Sequence, residues 1–255
     1  MIFSWLAAVL GVGALGSLLL VPPLEFGRRF HRMISFMALL LLAAGLGGGI
    51  LRGWLGWAAI TSAAALVFVS QWSPVSWIRP VLFLTTLLGM AAILAGARFE
   101  PKAPLMTASP WSLTANTFAA GMLLGSVTMG MMVGHWYLNV PGLDIKHLRR
   151  MTWLLAACIA LRIAFGMGGI ATAIPTDSSL ETSVWRAAGI RQAFFFWQRV
   201  AIGLVAPAVL VFMVDRTARI RSTQSATGLL YIAVIFVFIG EMISRFLYMT
   251  AGIPQ

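Results

Sequence analysis

Long apolar runs alternate with short polar connections along the whole chain. Eight runs approach the roughly 20 residues that a helix needs to cross the hydrocarbon core of a bilayer. They cover residues 2–22, 33–52, 54–72, 77–96, 112–138, 151–174, 193–214 and 228–250. The longest connections, about 97–111 and 175–192, are too short for a soluble catalytic domain. The pattern predicts an all-α integral membrane protein, a bundle of eight transmembrane helices forming a single polytopic domain over residues 1–255.

The composition agrees with a membrane-embedded chain. Hydrophobic residues make up 60% of the 255 residues and charged residues only 10%, and the mean hydropathy is +0.92. These values exclude a soluble globular protein. A net charge of +11 would suggest a nucleic-acid partner in a soluble protein, but here the basic residues lie in short loops between apolar runs. We therefore predict no nucleic-acid binding and interpret the charge as a topology signal.

The basic residues are distributed unequally between the two sides of the predicted bundle. The connections after the first, third, fifth and seventh spans hold ten of them: Arg28, Arg29, Arg32, Arg79, Lys146, Arg149, Arg150, Arg216, Arg219 and Arg221. The opposite side holds five: Arg52, Arg98, Lys102, Arg186 and Arg191. Because cytoplasmic loops are enriched in Lys and Arg, both termini are expected to be extracytoplasmic. We expect a multi-pass protein of the bacterial inner membrane without a cleavable signal peptide, since no basic residue precedes the first run.

Three arginines fall inside predicted spans, and these are the strongest candidates for chemistry. Arg162, Arg199 and Arg245 each cost roughly 2.5–3.5 kcal/mol on insertion scales, so each needs protein or water around it. Glu241 is the one carboxylate well inside a span, four residues before Arg245 and on the same helical face. We expect Gln198, Arg199, Glu241 and Arg245 to share the outer third of the bilayer, with Arg162 deeper.

These charges allow two interpretations. In the functional one, Glu241 and Arg245 transfer protons, while Arg199, Gln198 and Arg162 surround the head group of a quinone. In the alternative, Glu241 and Arg245 form an internal ion pair, and Arg199 extends along its helix to the outer surface.

The three histidines map to the cytoplasmic side. His135 is followed by an aromatic pair and is either a further proton-transfer group or an interfacial anchor. His31 lies in a basic run, where an interfacial side chain is expected, and His147 lies in a polar loop. No metal site is predicted, although His31 with His135 is the one pair that would be considered for a haem b. A lone Cys158 excludes intramolecular disulfides and cysteine-ligated metal centres.

Small residues and proline indicate how the helices pack. Gly121 and Gly125, followed by Gly130 and Gly134, let neighbouring backbones approach closely in the fifth span. Pro207 predicts a kink in the seventh span. The two halves of the chain show no convincing sequence repeat.

The last span contains Gly240-Glu241-Met242-Ile243-Ser244-Arg245-Phe246-Leu247-Tyr248. This segment resembles the last helix of the membrane-anchor subunits of the polysulfide reductase and dimethyl sulfoxide reductase type. The eight predicted spans and outward termini of the chain resemble the topology of the same subunits. The resemblance covers topology over the full chain and sequence only near the C-terminus. It implies a usually haem-free subunit that binds menaquinone or ubiquinone near the outer leaflet. The redox cofactors would then belong to extracytoplasmic iron–sulfur, molybdopterin or cytochrome subunits.

The leading expectation is therefore a quinone- or quinol-interacting membrane anchor subunit of a bacterial respiratory oxidoreductase complex, which exchanges electrons with a partner's cofactor. Two alternatives stay open. The same buried charges would serve a small-solute or proton-coupled transporter, and a histidine-held haem would make the chain a b-type cytochrome subunit.

Overall fold

A computed structural model describes residues 2–51, 53–97, 106–107, 110–140, 142–172, 174–175 and 189–251. Helices dominate this part of the chain: α1 (Ile2–Leu18), α2 (Pro23–Gly47), α3 (Gly53–Trp72), α4 (Ile78–Ala97), α5 (Pro110–Asn139), α6 (Lys146–Thr172), α7 (Gly189–Val200), α8 (Ala206–Arg219) and α9 (Thr223–Ala251). A π-helical turn, Ala201–Val205, joins α7 to α8, and a 3₁₀ turn, Val75–Trp77, precedes α4. Two-residue strands, β1 (Met106–Thr107) and β2 (Ile174–Pro175), pair in antiparallel fashion.

The helices confirm the predicted all-α membrane bundle. Within the described ranges, seven helical stretches are long and apolar enough to cross a bilayer, with α7, the π turn and α8 counted as one. The eighth, α1, is apolar but has 17 residues, fewer than the predicted 2–22. Exposed tryptophans lie near helix ends, as expected for side chains at the membrane–water interface; they are Trp54, Trp57, Trp72, Trp77, Trp111, Trp153 and Trp197.

Helix α2 begins ten residues before the predicted span, and the reason is its amphipathic first half. Proline suits the first helical turn, and α2 starts at Pro23. The backbone leaves the helical conformation at Gly27 (φ 76°, ψ 168°), and the helix continues after this kink. Phe30 and Ile34 follow at four-residue spacing and are buried on one face. The basic residues between them lower the mean hydropathy without preventing helix formation. A hydropathy criterion therefore places the start of this helix too late.

The bundle consists of two four-helix units with the same order of packing. In the first unit each helix from α1 to α4 packs against the next, and α4 packs back against α1. In the second unit α5, α6, α8 and α9 pack in the same cyclic order, and α9 returns to α5. The first helices of the two units, α1 and α5, form the main contact between them. This internal similarity was not detectable in the sequence.

The contact between α1 and α5 depends on glycine. A Cβ atom on Gly13 would lie 1.8 Å from the carbonyl oxygen of Gly121, and one on Gly125 would lie 2.0 Å from the carbonyl carbon of Gly13. No side chain fits at those distances, so the two backbones touch. The predicted packing role of Gly121 and Gly125 is confirmed, and Gly13 supplies the matching surface.

The two units also meet near the N-terminal ends of α2 and α6. The ring nitrogen Nε2 of His147 lies 2.5 Å from a carboxylate oxygen of Glu25, and the rings of Phe30 and Trp136 are 5.1 Å apart. His147 is 6% exposed, so its predicted place in a polar loop is wrong. It lies in the first turn of α6, where the edge of its ring packs against Phe26.

The orientation stays a prediction from the distribution of basic residues. In a Cys158→Ser background, Gln224→Cys lies at the start of α9 on the side predicted to be cytoplasmic. Lys102→Cys lies in a connection predicted to be outside. We expect a membrane-impermeant maleimide to label Lys102→Cys in intact cells and Gln224→Cys only after permeabilisation. The reverse pattern would overturn the predicted orientation.

Candidate functional site

The carboxylate of Glu241 is at the centre of the most buried group of charges in the described structure. It is fully buried on α9 and accepts two parallel hydrogen bonds from Arg162 on α6. Nε donates to Oε1 at 3.0 Å and Nη2 to Oε2 at 3.0 Å. Arg199 on α7 donates from Nη2 to Oε1 at 2.7 Å. We call Arg162, Arg199 and Glu241 the buried charge cluster; charge-assisted bonds of this kind are the strong ones in proteins.

The remaining bonds of Arg162 hold it rigidly. Nη1 donates to Oδ1 of Asn116 at 2.7 Å, and Nη2 also donates to Oγ of Ser244 at 2.9 Å. The amide nitrogen of Asn116 donates in turn to the carbonyl oxygens of Ser112 and Phe165. Every nitrogen of the Arg162 guanidinium is therefore hydrogen-bonded, and four helices are tied together at this point.

Arg162 lies level with the other two charges, so its predicted deeper position is wrong. Each cluster residue is ten residues from the same end of the bundle, measured from Thr172 in α6, Gly189 in α7 and Ala251 in α9. Ten residues of helix correspond to about 15 Å. The three helices therefore bring their charges to one depth. The sequence analysis considered each span separately and did not predict this.

Arg199 is buried and only partly satisfied. It is 2% exposed, so the alternative in which it extends to the outer surface is wrong. Its Nε and Nη1 atoms have no hydrogen-bond partner among the residues that the structure describes. The Arg199 side chain has room because Gly203 and Gly240, which face it, have no Cβ atom. A Cβ on Gly203 would lie 2.3 Å from Nη1, and one on Gly240 would lie 3.0 Å from it.

The π turn begins two residues after Arg199 and contains Gly203. Single π turns inside α-helices are often found at functional sites. Here the turn brings Gly203 against Gly240, since a Cβ on Gly203 would lie 2.7 Å from the Cα atom of Gly240. The π turn ends two residues before Pro207, the residue at which the sequence predicts a kink.

Arg245 does not form the predicted ion pair with Glu241. Its guanidinium carbon lies 4.7 Å from the ring centre of Trp5 and 5.2 Å from that of Tyr248, a cation–π arrangement. Glu241 is directed towards α6 and α7, whereas Arg245 packs against α1. Spacing of four residues places two side chains on one face of a helix, but neighbouring helices decide which partners they take.

Two cavities flank the cluster. An apolar groove of about 230 Å³ runs between α6 and the α7–π turn. Arg162 and Arg199 lie among its lining residues, and its apolar walls include Ile163, Phe196, Leu204 and Val205. Met167 and Val205 at its mouth are 67% and 54% exposed, so the groove opens sideways on the lipid-facing surface.

The second cavity, of about 30 Å³, is lined by Trp5, Asn116, Arg162, Ser244, Arg245 and Tyr248. It is small and has both polar and apolar lining, with room for about one water molecule. Arg162 therefore lines both an apolar, lipid-facing groove and a small cavity that also contains Asn116 and Ser244.

Two other candidate residues, Gln198 and His135, do not bind the buried charge cluster. Gln198 is half-buried beside Arg199 but makes no hydrogen bond to the described residues. His135 is exposed, and its Nδ1 lies 3.4 Å from the hydroxyl of Tyr231. Because Tyr231 precedes Glu241 by ten residues on α9, His135 lies roughly 15 Å from the cluster along the helix. Its predicted part in the same proton-transfer site is not supported by this distance.

His31 is fully buried, so its predicted interfacial position is wrong. Its ring nitrogens face the carbonyl oxygens of Gly27 and Val21 at 3.2 and 3.3 Å. This arrangement does not present either nitrogen to a haem. Within the described ranges, no group of three His, Cys, Asp or Glu residues could hold a metal ion.

Three residues of this site were missed by the sequence analysis. Asn116 carried a detectable signal, because an amide in an apolar run needs a polar partner. Ser244 and Trp5 carried none, since serine and tryptophan are ordinary in membrane helices.

Comparisons with protein-family models, with curated proteins and with solved structures found no match to this chain.

Proposed function

We propose that this protein is a quinone-interacting membrane subunit of a respiratory oxidoreductase complex in the bacterial plasma membrane. The observation that carries the proposal is the apolar groove that Arg162 and Arg199 help to line. The resemblance of the last helix to membrane-anchor subunits agrees with it, and the partners would be extracytoplasmic iron–sulfur, molybdopterin or cytochrome subunits.

The groove has the chemistry that a menaquinone or ubiquinone requires. Such a molecule reaches its site through the bilayer, carries an apolar tail, and accepts hydrogen bonds at its ring carbonyls. The groove is open on the lipid side, has apolar walls, and is lined in part by Arg162 and Arg199. Two nitrogens of Arg199, Nε and Nη1, have no hydrogen-bond partner among the described residues, and buried donors without partners are costly. We propose that the quinone head group lies beside these two arginines.

Glu241 takes a different role from the one expected of it. Two guanidinium groups bind its two carboxylate oxygens, and Glu241 is not among the residues that line the groove. Glu241 is better described as a positioning residue that holds Arg162 and Arg199 beside the groove. A bound quinone would supply the electron chemistry, while this chain binds and orients the head group.

Filling the groove is expected to weaken quinone binding. Val205 lines the groove, whereas Val209, one turn further along, does not; both are 54% exposed. In nanodiscs, Val205→Trp should weaken the binding of decylubiquinone and menaquinone-4 by roughly tenfold or more, about 1.4 kcal/mol. Val209→Trp is the matched control and should bind as the wild type does. Calorimetric titration gives both dissociation constants, and equal affinities in the two variants would contradict the groove assignment.

The complex itself is tested by purification. The C-terminally tagged chain, extracted in mild detergent, should copurify with iron–sulfur, molybdopterin or cytochrome subunits at near-stoichiometric yield by mass spectrometry. Recovery of the chain alone, together with solute or proton transport in liposomes, would favour the transporter instead.

A further inference from the structure

A second group of charges joins α6 to α8 at the ends that are predicted to be cytoplasmic. Asp215 in α8 accepts a hydrogen bond from Nε of Arg149, in the first turn of α6, at 3.1 Å. It accepts another from Nε of Arg219 at 2.7 Å, and each arginine binds a different oxygen of the carboxylate. One short side chain therefore holds two guanidinium groups next to each other. We call Arg149, Arg219 and Asp215 the paired-arginine site.

The two arginines of this site keep most of their hydrogen-bonding capacity. A guanidinium group has five N–H donors, and each of the two donates only from Nε to Asp215. Among the described residues, no hydrogen bond from an Nη atom of either arginine is present. The side chains of Arg149 and Arg219 are 38% and 52% exposed, whereas that of Asp215 is 11% exposed. The exposed part of the site is therefore cationic, with two positive charges held by one negative charge.

Aromatic side chains show that this site lies at the lipid-facing perimeter of the bundle. Trp153, four residues after Arg149 in α6, is 58% exposed. Phe212 in α8 is 60% exposed, and the guanidinium carbon of Arg216 lies 4.9 Å from its ring centre. Phe212, Arg216 and Arg219 follow the spacing of one helical face, and exposed aromatic side chains near helix ends are typical of the membrane–water interface. The paired arginines therefore lie at the depth of the phospholipid head groups.

From this geometry we infer that the paired-arginine site binds the phosphate of an anionic phospholipid, whose acyl chains lie against Trp153 and Phe212. The planar guanidinium fork matches the oxygens of a phosphate group, and basic pockets between helices at the cytoplasmic membrane surface bind anionic head groups. A zwitterionic head group fits less well, because its ammonium group would meet a site that already has an excess of positive charge. The site is independent of the proposed quinone groove, which begins at Arg162, about 20 Å further along α6.

The test compares two lipids that share their acyl chains and differ in charge. The full chain is purified in an uncharged detergent, freed of lipid, and titrated with dioleoylphosphatidylglycerol or dioleoylphosphatidylcholine. Native mass spectrometry gives the dissociation constant of the first bound molecule of each lipid. We expect the wild type to bind the phosphatidylglycerol roughly tenfold more tightly.

A triple variant assigns this preference to the site. Arg149→Gln, Asp215→Asn, Arg219→Gln removes all three charges together, so no buried charge is left without its partner, and the net charge falls by one. The preference should fall to about twofold or less. Arg28→Gln is the matched control, because Arg28 is exposed on the same predicted side and its replacement lowers the net charge by the same amount. This control should keep the preference of the wild type.

A second variant decides if the triple variant fails to fold, as judged by size-exclusion chromatography. Arg149→Lys, Arg219→Lys keeps both positive charges beside Asp215 but replaces each planar fork by a single ammonium group. We expect its preference to fall to about threefold. An unchanged preference in this variant would overturn the inference.

Two further results would also overturn the inference. Equal affinity of the wild type for the two lipids would show that the site does not select an anionic head group. An equal loss of preference in the triple variant and in Arg28→Gln would show that net charge, rather than this site, attracts the lipid. If the wild type showed equal affinities and an acidic protein copurified with it but not with the triple variant, the surface would belong to a protein partner instead.

Discussion

Replacing Glu241 by glutamine is expected to destabilise the protein by about 3–5 kcal/mol, the cost of removing one partner from a buried ion pair. The substitution keeps the size of the side chain but removes the negative charge that both Arg162 and Arg199 bind inside the bilayer. Both arginines are almost completely buried, so water cannot replace the carboxylate. The free energy of unfolding, measured by titrating the purified protein from mild detergent into sodium dodecyl sulfate, gives the loss directly.

Ser244→Ala is the matched control for this substitution. Ser244 is on the same helix, is similarly buried, and accepts one hydrogen bond from Arg162 at 2.9 Å. Its removal should cost about 1 kcal/mol, because the carboxylate and Asn116 still hold Arg162. A loss for Glu241→Gln no greater than that for Ser244→Ala would show that the cluster is not a buried, mutually dependent group.

A double variant tests whether the loss of stability in Glu241→Gln comes from the uncompensated charge of the arginines rather than from the changed shape of the side chain. In the double variant Glu241→Gln, Arg199→Met, one uncompensated charge is removed together with the carboxylate. We expect it to be more stable than Glu241→Gln alone, so the two effects should not add. Additive losses would indicate that Arg199 and Glu241 are stabilised independently of each other.

Gly125→Ala is expected to have the other large effect, on the contact between the two four-helix units. The added methyl group would lie 2.0 Å from the carbonyl carbon of Gly13. Backbone atoms cannot rotate away as a side chain can, so α1 and α5 must separate along their whole crossing. Overpacking typically costs 1–3 kcal/mol, and we expect about 3 kcal/mol here, measured by the same detergent titration.

Gly228→Ala provides the comparison, because nothing lies within 4 Å of a Cβ atom added there. Alanine is the better helix former by about 1 kcal/mol, so this variant should be as stable as the wild type or slightly more so. The two substitutions are chemically identical and differ only in what the methyl group meets. A similar stability of both variants would contradict the close approach of α1 and α5.

The hydrophobic pattern was sufficient to predict the helices and to identify the unusual charges. A membrane span must be long and apolar whatever it packs against, so every predicted span corresponds to an observed helix. Arginines and a carboxylate within such spans were recognised because each is costly there. The boundaries were less accurate at α2, where an amphipathic segment with basic residues continues the helix before the apolar run begins.

The partners of those charges could not be predicted. Glu241 and Arg245 are related by helical spacing, yet Glu241 binds Arg162, which is 79 residues away in sequence. The depth of a residue can be estimated from its place in a span, but its direction depends on the rotation of the helix against its neighbours. Arg199 illustrates this, because it stays buried only where Gly203 and Gly240 leave room for it.

The sequence by itself determined that this chain is a bundle of apolar membrane helices carrying a few buried charges, because the bilayer imposes the same length and polarity on every span. Only the tertiary structure decided that Arg162, Arg199 and Glu241 form one cluster, that a lipid-facing groove lies beside it, and that the two halves pack alike. These features arise from contacts between helices distant in the chain. Such contacts depend on shape and rotation, for which a single sequence contains no local signal.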